Sequence, residues 1–369
     1  EKYFESLGRA GLARMNVTHP PFVRRVEEVI VTSSLDDLQA YLSWHLLHET
    51  AGVLPTAFAE EDFQFFGKVL NGAKTMQPRW RRCVTLVDEQ LGDALAQKYV
   101  QNSFGPSAKE RIDTMVRALS GAMARDINSL PWMTADTKRA ALDKLRALLN
   151  KVGYPAKWKA YDVEIKRDDL VTNAVKLSEL GYMRDLDKIG READKLEWAM
   201  TAPTVNAYAD PQMNSINFPA GVLQPPFFHA KADHASNFGG IGAVIGHELT
   251  HLFDDEGRKF DAAGNLRDWW TEADAREFER RTACFVEQYE NYSPLPGVKL
   301  DGKLTLGENV ADNGGLRIAY EALMSMLAPP GKKSARTALM RAKLEGFTPP
   351  QRFFISWAQV WCTNISEAQ

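Results

Sequence analysis

The residues most able to do chemistry stand together in Gly239–Asp255, which contains His247-Glu248-Leu249-Thr250-His251, an H-E-x-x-H pattern. On a helix, residues four apart share a face. His247 and His251 then aim two imidazoles at one point, with the Glu248 carboxylate beside them. Two neutral imidazoles suit Zn²⁺, which takes three protein ligands and keeps a fourth position for water. A neighbouring carboxylate can accept a proton from such a water. The plainer reading is a surface helix that carries the pattern by chance. A third ligand decides between the two.

Gly307-Glu-Asn-Val-Ala-Asp-Asn-Gly-Gly315 offers one. Glu308 and Asp312 are four apart, so a helix would present both to one site. A Glu from a separate helix completes a His₂Glu zinc set. Metal-bound histidines donate their other N–H to an acceptor, which fixes tautomer and basicity. Asp312 suits that role, as does Asp254, three residues after His251. Taken alone, these acidic residues read as a solvated helix face. Their weight comes from His247 and His251.

The elements that must position these groups read as mostly helical, an α+β chain with a small sheet. Ser34-Leu-Asp-Asp-Leu38 caps a helix, and others are expected over 55–70, 80–100, 107–128 and 168–186. Thr134 opens one that runs to about Lys151, ended by Gly153-Tyr-Pro155. Val205 to Phe218 alternates, with Ala209-Asp-Pro211 as a break, and reads as two short strands. Helices follow from Thr271 to about Tyr289 and from Leu304 to Met326. Pro329-Pro-Gly331 breaks the latter, and two helices close the chain.

With 369 residues, the chain can bury a large core in one or two domains. A net charge of -3 gives no electrostatic case for nucleic acid or an anionic membrane surface, and no apolar run spans a bilayer. Cys83, Cys284 and Cys362 match no zinc or redox motif, and three small buried residues is their plain reading. His45, His48, His229 and His234 read as surface or packing residues. Asn16-Val-Thr18, Asn291-Tyr-Ser293 and Asn364-Ile-Ser366 are glycosylation sequons by pattern only.

The motifs together resemble the neprilysin and endothelin-converting-enzyme family of zinc metallopeptidases, gluzincins of the thermolysin type. The likeness rests on Val205-Asn-Ala-Tyr208, Asn217 to Phe228, Gly239 to Asp255, Asp268-Trp-Trp270, Leu306 to Gly315 and Phe353 to Cys362. It implies one zinc ion on His247, His251 and Glu308, with Glu248 as general base. Asp312 would orient His247 and act in catalysis, and Asp254 would orient His251. Asn206 and Ala207 would hold the substrate backbone as an added strand. Val222, Phe227, Val244, Val360 and Trp361 would line the pocket after the scissile bond, and Ala243 would widen it. The expected activity is cleavage of oligopeptides before a hydrophobic residue. The resemblance divides the chain into a mostly helical domain over 1–195, part of a cavity-enclosing region, and a zinc catalytic domain over 196–369. It suggests a bacterial member and an extracytoplasmic location.

Relatives of this kind extend further at both ends. Beyond the position of Gln369 they hold a His that stabilises the oxyanion and an Arg that grips substrate. No residue here matches either. An oxyanion donor is worth about 2.7–4 kcal/mol to the transition state. A chain ending at Gln369 is therefore expected to turn over poorly, as a fragment or pseudo-enzyme that binds zinc or peptide, unless a separate chain supplies those segments. Cys83, Cys284 and Cys362 would have lost their disulfide partners, and apolar surface would lie bare where the segments pack.

Overall fold

A computed structural model describes residues 2–12, 14–327, 338 and 340–363. The expected break at Pro329-Pro-Gly331 and the Asn364 sequon lie outside the described residues. So does most of the stretch where the first of the two closing helices is expected. The contacts form two compact units, one mainly of Glu1–Pro78 with Ile165–Val175, the other of Arg79–Glu164 with Lys176–Ser366. The unit that holds His247 thus begins at Arg79, well before residue 196.

The first unit carries α1 (Lys2–Ser6), α2 (Pro20–Thr32), α3 (Leu35–Thr50) and α4 (Thr56–Asp62). Ser34 caps α3 by accepting from the Asp37 N–H at 3.1 Å. The helix expected from Pro55 changes winding at Phe63 and continues to Leu70 as a wide π-type turn. His48 lies 2.6 Å from Asp62 and stacks on Phe66, a packing role. Neither α2 nor α3 buries a side chain fully, and Phe22, Ile30, Val31, Leu42 and Leu46 are exposed.

In the second unit, α5 (Arg79–Ser103) kinks at Leu91 and is followed by α6 (Pro106–Ser129) and α7 (Ala135–Arg146). Ile112, Met115, Val116, Leu119, Ala122 and Met123 recur at helical spacing and are buried, which makes α6 a core helix. Next come β1 (Leu149–Gly153), α8 (Leu170–Leu186, whose residues up to Val175 belong to the first unit), β2 (Tyr208–Asp210) and β3 (Ser215–Pro219). After α9 (His234–Asn237) and a π-type turn over Phe238–Gly242 the chain enters α10 (Ala243–His251). Then follow α11 (Glu272–Glu290), α12 (Leu306–Leu327) and α13 (Pro349–Val360).

The sheet order is β1-β3-β2, with β1 parallel and β2 antiparallel to β3. Strand β3 is buried along its length, and Ile216 and Phe218 anchor it in the core. Strand β1 corrects the expectation of a helix to Lys151. Leu145, Leu148 and Leu149 keep a helical rhythm, but the helix stops at Arg146 and Leu149 pairs with Ser215. A partner so distant in sequence leaves no local mark. Ala209 and Asp210 lie inside β2, and the turn falls at 211–214, where Asn214 takes a φ of 48° that Asn tolerates. Among the described residues the outer edge of β2 pairs with no strand. The three cysteines are free and exposed, against their plain reading as buried residues. Among the described residues no helix is long and apolar enough to cross a membrane.

Candidate metal centre

Helices α10 and α12 meet along a seam of glycines. A Cβ on Gly246 would collide with the Gly315 carbonyl, and one on Gly315 would collide with the His247 N–H. Only two bare backbones can approach this closely. The approach brings the first turns of α12, with Glu308 and Asp312, across the face of α10 that carries His247 and His251.

The donor atoms then converge. His247 Nε2 and His251 Nε2 lie 2.8 Å apart, and Glu308 Oε2 stands 3.3 Å from the first and 3.6 Å from the second. One ligand atom from each of the three residues falls within 4.8 Å of the others. On the far side of each ring, His247 Nδ1 is 2.8 Å from Asp312 Oδ1, and His251 Nδ1 is 2.6 Å from Asp254 Oδ2. With each Nδ1–H donating to a carboxylate, both Nε2 lone pairs and the Glu308 oxygen face one point. Three acceptors crowded without a shared proton repel, and a divalent cation relieves that. The two-nitrogen, one-oxygen set fits zinc.

Electrostatics follow the geometry. Glu248 is 6 % exposed. Burial raises its carboxyl above the ordinary carboxylate range, against the pull of the two imidazoles. Burial disfavours protonation of His251, but the Asp254 hydrogen bond and the charges of Asp254, Glu248 and Glu308 outweigh it and raise its pKa.

A cavity of about 500 Å³ opens in front of the donors. His247, Glu248, Glu308 and Asp312 form its polar wall, and His251 and Asp254 do not line it. Asn206 and Ala207 enter from the edge beside β2, and the Asn206 side-chain oxygen accepts from the Ala207 N–H at 2.9 Å. Val222, Phe227, Ala243, Val244, Val360 and Trp361 supply the apolar wall. Val205, Gly240 and Trp357 line it too and were not singled out from the sequence. Trp357 had a usable signal, since it stands three and four residues before Val360, the last residue of α13, and Trp361, its C-cap.

A helix pair that offers two histidines and a glutamate to one point, beside an edge strand, defines a zinc-metallopeptidase-like centre. Comparison with known proteins agrees. Two family models, both described as peptidase family M13, match residues 1–155 and 206–369. The chain belongs to peptidase family M13. It is 37 % identical over 354 residues to endothelin-converting enzyme 1 of Bos taurus, an alignment covering 93 % of this chain and 46 % of the relative. A solved structure of the zinc metalloprotease Zmp1 of Mycobacterium tuberculosis, in complex with an inhibitor, superposes with a TM-score of 0.85 at 43 % identity. That match covers 92 % of this chain and 51 % of the other. PepO from Lactobacillus rhamnosis gives a TM-score of 0.73 at 31 % identity, over 85 % of this chain and 47 % of that one. The chain thus spans about half the length of the curated relatives it matches.

Proposed function

We propose that this chain carries the active centre of a zinc-dependent endopeptidase that cleaves oligopeptides before a hydrophobic residue. The observation that carries the reading is the convergence of His247, His251 and Glu308 beside a buried Glu248, in a cavity lined by Asn206 and Ala207 just ahead of β2. The likeness to proteins named zinc metalloprotease and endothelin-converting enzyme supports it.

His247, His251 and Glu308 would hold one zinc ion. When bound, zinc supplies Lewis acidity, polarising a carbonyl and lowering the pKa of a water. Asp312 and Asp254 hold the imidazole N–H groups and so keep each Nε2 free to ligate. Glu248 takes the proton of the attacking water as oxygen bonds to the scissile carbon. It then delivers that proton to the leaving amine as the C–N bond breaks. Its upward-shifted pKa suits a group that must both accept and return a proton. Substrate backbone would lie along Asn206 and Ala207, just ahead of β2, held by main-chain hydrogen bonds. The side chain after the scissile bond enters the apolar wall of Val222, Phe227, Val244, Val360 and Trp361, where the small Ala243 leaves room. The unit of Arg79–Glu164 and Lys176–Ser366, which holds every residue of this centre, would supply the catalytic domain.

Replacing Glu248 by Gln tests the mechanism. Zinc content should stay stoichiometric while peptide cleavage falls by about 10²–10⁴-fold, the usual worth of general acid–base catalysis. Cleavage that survives with zinc retained rejects the mechanism. Zinc and peptide binding without cleavage in the unaltered chain favours a non-catalytic binding module.

A further inference from the structure

Lys144 has no part in this mechanism, yet it is fully buried, at 0 % exposure. Its Nζ donates to the carbonyls of Leu252, Gly257 and Phe260, each at 2.7 Å. The rings of Phe253 and Trp269 flank the ammonium at 5.5 and 5.9 Å. Burial pushes its pKa down to about 8, and the charges of Asp254 and Asp261 pull it back up.

The three carbonyls belong to the turn that follows His251. Leu252 is the C-cap of α10, whose last carbonyls have no helical partner and whose dipole favours a cation. Gly257 packs against the His251 carbonyl so tightly that a Cβ would collide with it. The same turn holds Asp254. Its Oδ1 accepts from the Glu256 and Gly257 N–H groups at 3.0 and 2.7 Å, and its Oδ2 meets His251 Nδ1. A continuous path therefore runs from the ammonium to the Gly257 carbonyl, across the Gly257 Cα to its N–H, and from there to Asp254 and the imidazole. At its other end, the Lys144 carbonyl accepts from Asn214 Nδ2 at 3.0 Å, in the turn between β2 and β3.

We propose that Lys144 is a positioning residue for the metal centre: an internal cation that fixes the 252–260 turn, and through Asp254 sets the aim and tautomer of His251. The proposal rests on the reading of His247, His251 and Glu308 as zinc ligands. An apolar core would serve packing alone at least as well, because a buried charge needs three converging partners to be tolerated. What the charge adds is a defined position for three backbone carbonyls.

The test is zinc affinity of the full chain, measured by competition with a chromophoric chelator, alongside circular dichroism and thermal unfolding of the zinc-free protein. Lys144→Gln should keep its fold and bind zinc about 10-fold more weakly, the lower end for loss of an outer partner of a ligand. Combined with Asp254→Asn, it should weaken binding no further than Asp254→Asn alone, since both act on His251 by one path. Unchanged affinity in Lys144→Gln, or full additivity with Asp254→Asn, overturns the proposal. If Lys144→Gln does not fold, Lys144→Arg keeps the charge but cannot bring a planar fork onto three converging carbonyls. It should fold and bind zinc more weakly; native affinity, or failure of both variants to fold, assigns Lys144 to the core alone and overturns the role. Absence of zinc binding in the unaltered chain is a different outcome. It would reject the zinc reading itself, before any Lys144 variant is compared.

Discussion

The two histidines sit in matched carboxylate–imidazole pairs that are built differently. Asp254 is 4 % exposed and accepts from the Glu256 and Gly257 N–H groups as well as meeting His251. It is wedged in a turn whose carbonyls Lys144 gathers. Asp312 is 48 % exposed at its side chain and meets His247 from a helix surface in the cavity wall. Glu308 beside it is 70 % exposed. One half of the centre is aimed by a buried polar network. The other half is delivered by the close approach of two backbones and then stands in solvent. A low-dielectric, multiply bonded carboxylate holds its geometry without the metal, whereas a solvated one gains its geometry from the metal.

The sharpest way to break this comparison is at the glycine seam, which serves the exposed half. Gly315→Val should force α12 away from His247 and move Glu308 and Asp312 together. Overpacking of this kind costs about 1–3 kcal/mol of stability. Zinc affinity should fall by more than roughly 100-fold, beyond the loss of a single outer partner. A Gly315→Val chain that binds zinc as the parent does would show that α12 can deliver its carboxylates without the seam.

The two pairs can then be set against each other. Asp254→Ala should weaken zinc binding by about 100-fold and Asp312→Ala by about 10-fold, the two ends of the range for such partners. The order follows from burial: removing Asp254 also leaves the Glu256 and Gly257 N–H groups unpaired, while water can replace Asp312. Chelator competition measures both. Equal losses would mean that burial adds nothing to the orientation of a ligand.

The sequence carried the centre unevenly, and the same contrast explains why. His247, Glu248, His251, Glu308 and Asp312 are legible because i, i+4 spacing on a helix is local. The mainly helical fold and the strands near Val205 and Phe218 are legible for the same reason. Strand β1 is not, since Leu149–Gly153 becomes a strand only against β3, far along the chain. Lys144 reads as an ordinary charge on an amphipathic helix, because the carbonyls that bury it come from a turn more than a hundred residues away. Gly246 and Gly315 look like loop or flexibility signals until two helices are seen to cross at them. The boundary expected at residue 195 came from the family resemblance, whereas contacts join α5, α6 and α7 to the unit of His247.

The smallest effect tests the principle away from the metal. Asp274, buried on α11, accepts from the Thr134 N–H at 3.0 Å and from the hydroxyls of Thr134, Thr137 and Thr271 at 2.6, 2.5 and 2.8 Å. Burial alone would raise its pKa, but hydrogen bonds from Thr134, Thr137 and Thr271 outweigh it and hold the carboxyl below its ordinary value. The unfolded chain therefore takes up this proton first. The stabilisation is complete above the unfolded value of about 3.9 and is lost as pH falls through the lower folded value. Asp274→Asn should cost about 1–3 kcal/mol at pH 7 by urea unfolding of the zinc-free chain. The gap to the parent should shrink once the medium is acidic enough to protonate Asp274 in the fold. A gap that stays constant into strong acid would mean that the hydroxyls recognise shape and not charge. The same argument for Asp254 would then lose its footing, because both rest on a buried carboxylate being held by several donors at once.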